Sequence, residues 1–118
     1  MTRRVALIVP DLLFRTRIEA TAVQAGVAVT VLDAGRAFAA CVADPPDLVV
    51  IDLTGPGDPA ALAEQLRTDP ATARIPVVGF YPHVDQALRE RALAAGIPRV
   101  LPRSAFVSRL AEILRGAD

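Results

Sequence analysis

Residues 48–58, LVVIDLTGPGD, decide how this chain is read. Leu48 to Ile51 are all apolar, Asp52 follows at once, and a loop of glycines and prolines comes next. An apolar run of strand length with no polar alternation suits a strand covered on both faces, as in a parallel sheet. An isolated charge is costly to bury, so Asp52 lies exposed at the strand's end, is paired, or is functional.

Similar runs recur on either side. RVALIV (residues 4–9), VAVTVL (27–32), DLVVID (47–52), IPVVGF (75–80) and RVLP (99–102) read as five strands. Helical patterns fill the intervals. Phe14, Ile18 and Ala22 repeat at helical spacing up to Gly26, and AGRAFAACVA ends before Pro45 and Pro46. Asp58 and Pro59 form an N-cap and first-turn pair opening a helix through about Arg67. VDQALRERALAAG closes at Gly96, and Ser104 is expected to cap a last helix presenting Phe106, Leu110, Ile113 and Leu114 on one face. Strand and helix alternating in this way imply right-handed βα crossovers and a parallel sheet with helices on both sides. Ligands of such sheets gather outside the carboxyl ends of the strands, where Asp11 and Asp52 both fall.

The bulk composition agrees. A length of 118 residues, 53% hydrophobic and 22% charged, is enough for one domain with its own core. Thirteen basic and thirteen acidic residues cancel, so total charge favours neither nucleic acid nor an anionic membrane. No apolar run reaches transmembrane length and the first residues lack a secretory pattern, so the expected location is cytoplasmic. Cys41, the single cysteine, reads as a small helix-face residue.

At this point a family resemblance becomes specific. ALIVPDLLFRTRIEATAVQAG, PPDLVVIDLTGPG, RTDPATARIPVVGFY and RALAAGIPRVLPRSAF are similar, in order and spacing, to the blocks of a response-regulator receiver domain of the chemotaxis-receiver kind, over nearly the whole length. The resemblance implies a flavodoxin-like (βα)5 fold with strand order 2-1-3-4-5. It also implies that Asp52 matches the phosphoacceptor and Asp11 one of the strand-one acids that hold magnesium. A histidine kinase or another protein is the implied partner, and the fourth helix, fifth strand and fifth helix are the implied homodimer face.

Three of the five functional positions depart from the family pattern. Pro10 stands where the first strand-one acid belongs, Tyr81 where a threonine or serine belongs, and Arg103 where the lysine belongs; Ser104 replaces the following proline. Guanidinium holds carboxylates in a planar fork that lysine lacks, so Arg103 is expected to pair with Asp52 or Asp11 and to compete with magnesium. The reading is of a stand-alone, atypical receiver over residues 1–118 that acts through protein contacts, with aspartyl phosphorylation impaired or absent. Orthodox phosphorylation of Asp52 with magnesium is the alternative. A small flavodoxin-like enzyme or ligand binder ranks behind both, because the chain has no nucleophile–base arrangement, no dinucleotide fingerprint and few aromatics.

For the remaining features the plain reading is preferred. TGPGDP lacks P-loop spacing and is taken as a turn, His83 as a surface residue near the site, and Thr54 as carrying little information in its side chain. Gly79, inside a strand, indicates a close approach by a neighbour.

Overall fold

The computed structural model describes residues 2–117. Its elements in chain order are β1 Arg4–Ile8, α1 Leu12–Ala25, β2 Ala28–Val31, α2 Ala34–Ala43, β3 Leu48–Asp52, α3 Pro59–Thr68, β4 Val77–Tyr81, α4 Gln86–Ala94, β5 Arg99–Pro102, α5 Arg103–Ser108 and α6 Leu110–Arg115. All five strands are parallel and lie in the order β2-β1-β3-β4-β5. This is the flavodoxin-like doubly wound sheet. Among the described residues, no helix is long and apolar enough to cross a membrane.

Successive residues of a strand point to opposite faces, so the apolar runs divide into two cores. Val5, Leu7, Val50 and Phe80 pack against Phe14 and Ile18 of α1 and Phe106, Leu110 and Leu114 of α5 and α6. Ala6, Ile8, Val49, Ile51 and Tyr81 pack on the other face against Ala37 and Cys41 of α2, Ala63 and Leu66 of α3, and Ala92 of α4. Every residue of β3 and of β4 is buried. Both strands lie inside the sheet with helices on both sides, which is why their sequences lack polar alternation.

The helix starts follow capping chemistry. Asp11, Asp58 and Asp85 each accept a hydrogen bond from the third residue beyond them: Phe14, Ala61 and Leu88. Gly26 ends α1 in the left-handed conformation, φ 71°, that glycine adopts without steric cost. The end of the chain differs from expectation. Ser104 caps nothing: α5 begins one residue earlier, directly after the extended Pro102 (φ −58°, ψ 147°). The single last helix is in fact two, broken at Arg109 (φ −115°, ψ 15°), whose N–H turns back to the carbonyls of Ala105 and Phe106. Phe106, Leu110, Ile113 and Leu114 still share one core despite the break. Burial fixed the face while the backbone changed its winding. β4 runs to Tyr81, so this side chain belongs to the strand and the core rather than to the loop beyond.

Candidate functional site

Asp11 and Asp52 emerge at the carboxyl edge of the sheet from neighbouring strands, since β1 pairs with β3. Asp52 is the last residue of β3 and only 6% exposed. Its Oδ1 accepts two hydrogen bonds, from the Thr54 N–H at 2.9 Å and from the Thr54 hydroxyl at 2.6 Å. The loop that follows the strand therefore folds back onto the carboxylate that ends it. That contact resolves the tension in residues 48–58: the charge is buried only as far as a local donor pair can serve it.

Asp11 does its first work as the cap of α1, accepting from Phe14 N–H at 3.0 Å. This bond, reinforced by the nearby Arg103 charge, lowers its carboxyl below the ordinary aspartate range. Arg103, the first residue of α5, places Nη2 3.7 Å from Asp11 Oδ2, a single long contact rather than a bidentate fork. Its guanidinium carbon lies 3.8 Å from the centre of the Phe14 ring. Phe14 in turn meets Phe80 at 5.1 Å between centroids, and Phe80 stacks on Phe106 at 4.7 Å. The cation that follows β5 is thus seated on Phe14, the outer ring of a three-phenylalanine cluster, beside Asp11. Among the described residues, the ion pair of Arg103 is with Asp11 and none is made with Asp52.

Pro10 reaches across to the loop after β3. A Cβ on Gly55 would lie 3.4 Å from Pro10 Cγ and 3.3 Å from the Asp52 carbonyl, so glycine there accommodates the proline ring. Tyr81 is 3% exposed and belongs to the α2, α3 and α4 side of the sheet, where Leu88 and Val100 also pack. The phenol is a core aromatic and lies on the opposite face of the sheet from Phe14. Gly79 leaves room for Leu53, whose Cδ1 would be 3.0 Å from a Cβ at that position. His83 is exposed in the turn before α4, and Cys41 is fully buried, its thiol pushed up by burial.

A cleft of about 590 Å³ opens on the α4 side of the loop, lined by Leu53, Thr54, Asp58, Asp85, Leu88 and Arg91 among others. Arg91 Nη2 bridges it to Asp58 Oδ2 at 2.5 Å, tying α4 to the start of α3. The Ala61 N–H and Arg91 both hold the Asp58 carboxyl below its ordinary range.

A receiver-like fold implies magnesium, and the donors present bear on whether it fits. Asp11 and Asp52 offer hard oxygens, Pro10 offers none, and among the described residues no group of three His, Cys, Asp or Glu side chains is placed to hold a metal ion. Magnesium is commonly held by one or two carboxylates with waters and phosphate oxygens completing the octahedron. The residues therefore fit a weak site and not a dedicated cage.

Reading the residues in order missed Thr54 and the platform under Arg103. An aspartate followed two residues later by threonine is a local hydrogen-bonding pattern that sequence alone offers. No local signal links Arg103 to Phe14, which lie at opposite ends of the chain.

No family model matches the sequence, and no curated protein matches it. Solved structures do match in fold. A chemotaxis response regulator of Vibrio cholerae superposes with a TM-score of 0.84 over 100% of both chains, at 15% identity. The receiver domain of a sensor histidine kinase from Pseudomonas aeruginosa, with magnesium coordinated in its active-site cleft, gives 0.82 over 98% of this chain and 99% of that one, at 22% identity. A phosphorylated cyanobacterial phytochrome response regulator gives 0.81 over 98% and 91%, at 20% identity. The fold is that of receiver domains.

Proposed function

We propose that residues 1–118 form one receiver-like signalling domain, an atypical receiver that works in the cytoplasm by binding a protein partner, with phosphorylation of Asp52 impaired or absent. The observation that carries this reading is the seat of Arg103, stacked at 3.8 Å on Phe14 and turned to Asp11. Phosphoryl transfer depends on positioning and charge neutralisation around the transferring group. A cation held on an aromatic ring beside another carboxylate contributes little of either at Asp52. Pro10 stands in place of an acid that would help hold magnesium, and Tyr81 buries its ring in the core where a short hydroxyl would meet the phosphoryl oxygens, so both the metal site and the phosphoryl contacts are weakened. The chain acts as a binding module and not as an enzyme. α4, β5 and the last helical segment, α5 with α6, would form the face for a partner or a second copy, with Arg89, Glu90, Arg109, Glu112 and Arg115 supplying mixed charge for reciprocal pairs.

One observation favours a second reading, orthodox phosphorylation of Asp52 after a histidine kinase or small donor. Thr54 engages Oδ1 alone, so the carboxylate keeps a second oxygen for a phosphoryl group. Magnesium, when bound, would be held by Asp52 and Asp11 and would neutralise phosphoryl charge.

An amide NMR titration of the full chain, first with magnesium and then with beryllofluoride, decides between the two. The proposed reading expects no saturable response at Thr54, Tyr81 or Arg103 at millimolar magnesium. Saturable shifts at these positions that vanish in Asp52→Asn would overturn it in favour of the second.

A further inference from the structure

Between the loop after β3 and the start of α2 lies a crevice of about 380 Å³, a size toward the lower end of small-molecule sites. Its walls are mostly carbon: Val9, Leu32 and the rings of Pro10, Pro56 and Pro59. Proline has no backbone N–H, so three backbone positions around the crevice offer no donor to an anion. The charged groups that line it are Asp52 and Asp33 against Arg15 alone, and Arg15 leans toward Glu19 (Nε–Oε1 3.8 Å). Asp33 precedes α2 but its side chain makes no hydrogen bond to the helix it precedes. Its carboxylate is exposed, at the mouth of the crevice, while Asp52 is buried.

We infer that this crevice binds a small organic cation, an ammonium carried on a single ring or a branched hydrocarbon. The ammonium meets Asp52 and Asp33, and the hydrocarbon lies against the proline rings, Val9 and Leu32. A hard divalent ion is a poor match because it demands oxygen on all sides, and these walls supply carbon. An anion would face two carboxylates with few donors. A neutral apolar ligand would strip water from those carboxylates without returning a charge. The inference rests on the phosphorylation-independent reading in one respect: it names the ligand that would act at Asp52 in place of a phosphoryl group.

The test is an amide NMR titration of the full chain with three probes of one shape, benzylamine, benzyl alcohol and benzoate. Benzylamine is expected to give saturable shifts at Val9, Leu32, Asp52 and Gly55, with affinity at least about tenfold weaker in Asp33→Asn, a loss of about 1.4 kcal/mol. Asp33 is exposed, so that variant keeps its fold, and spectral dispersion verifies it. Asp52→Asn is expected to weaken binding as well, while benzyl alcohol and benzoate bind at least about tenfold less well than benzylamine in the wild type. Equal binding of benzoate or benzyl alcohol, indifference to Asp33→Asn, or silence toward benzylamine would overturn the inference. Beryllofluoride on the same sample separates the two readings. A response abolished by Asp52→Asn removes the phosphorylation-independent function and leaves benzylamine to decide the crevice. Silence toward both probes removes the crevice alone.

Discussion

Thr54 decides how Asp52 behaves at the scale of single residues. Its hydroxyl and N–H share one carboxylate oxygen, and the hydroxyl bond of 2.6 Å is the shorter. Thr54→Val keeps the shape and the N–H bond but removes the hydroxyl. Because residue 54 is exposed and water can replace part of the bond, we expect a loss of about 1 kcal/mol in urea unfolding. Asp11 sets the acid side of stability. Its folded pKa is lowered first by the Phe14 N–H and then by Arg103, so its contribution is complete above the unfolded aspartate value of about 3.9 and is lost as pH falls through the lower folded value. Melting temperatures of wild type and Asp11→Asn, which retains a capping side chain, should therefore differ at pH 7, begin to approach each other only below about pH 4, and converge once pH is under the lowered folded value. A constant difference at all pH values would show that Asp11 works through its shape and not its charge.

At the scale of elements, β4 and the β3–α3 loop are fitted together by an absence. Ile51 lies beside Gly79 in the parallel register, and Leu53, just beyond β3, occupies the space that a side chain on Gly79 would need. Gly79→Ala places a Cβ at 3.0 Å from Leu53 Cδ1 and should cost about 1–3 kcal/mol through overpacking. Combining it with Leu53→Val, which retracts the branch, should recover part of the loss. A coupling of at least about 0.5 kcal/mol in the double-mutant cycle is the expected sign, and strict additivity would refute the fit. The split between α5 and α6 belongs to this scale too. Apolar periodicity in the last segment predicts the buried face correctly because packing selects it. It is blind to Arg109, where the chain rewinds without changing which residues meet the core.

For the molecule as a whole, one sheet couples both cores. Tyr81 belongs to the α2, α3 and α4 core, while the Phe14, Phe80 and Phe106 cluster belongs to the other, and Phe80 and Tyr81 are adjacent in β4. The chain has one tyrosine and no tryptophan, so its intrinsic emission reports on Tyr81 alone. Urea transitions followed by that emission and by far-ultraviolet circular dichroism should coincide, as expected when a domain unfolds in one step. Separate midpoints would mean that the two faces of the sheet can open independently.

What the sequence determined by itself was the order of strands and helices, the faces that the first and last helical segments bury, and the aspartate cap at Asp58. These follow from periodicity and local hydrogen bonding, which act over a few residues. The position of Asp52 at the end of the most apolar strand was legible for the same reason. The partner of Arg103 was decided only by the tertiary structure. Pairing with either aspartate satisfied the sequence, and the winner was Asp11 because the Phe14 ring, backed by Phe80 and Phe106, offers the guanidinium a seat on that side. Tyr81 likewise stands at a position the family resemblance assigns to the site, and its ring lies in the α2, α3 and α4 core, where burying a large aromatic face is favourable.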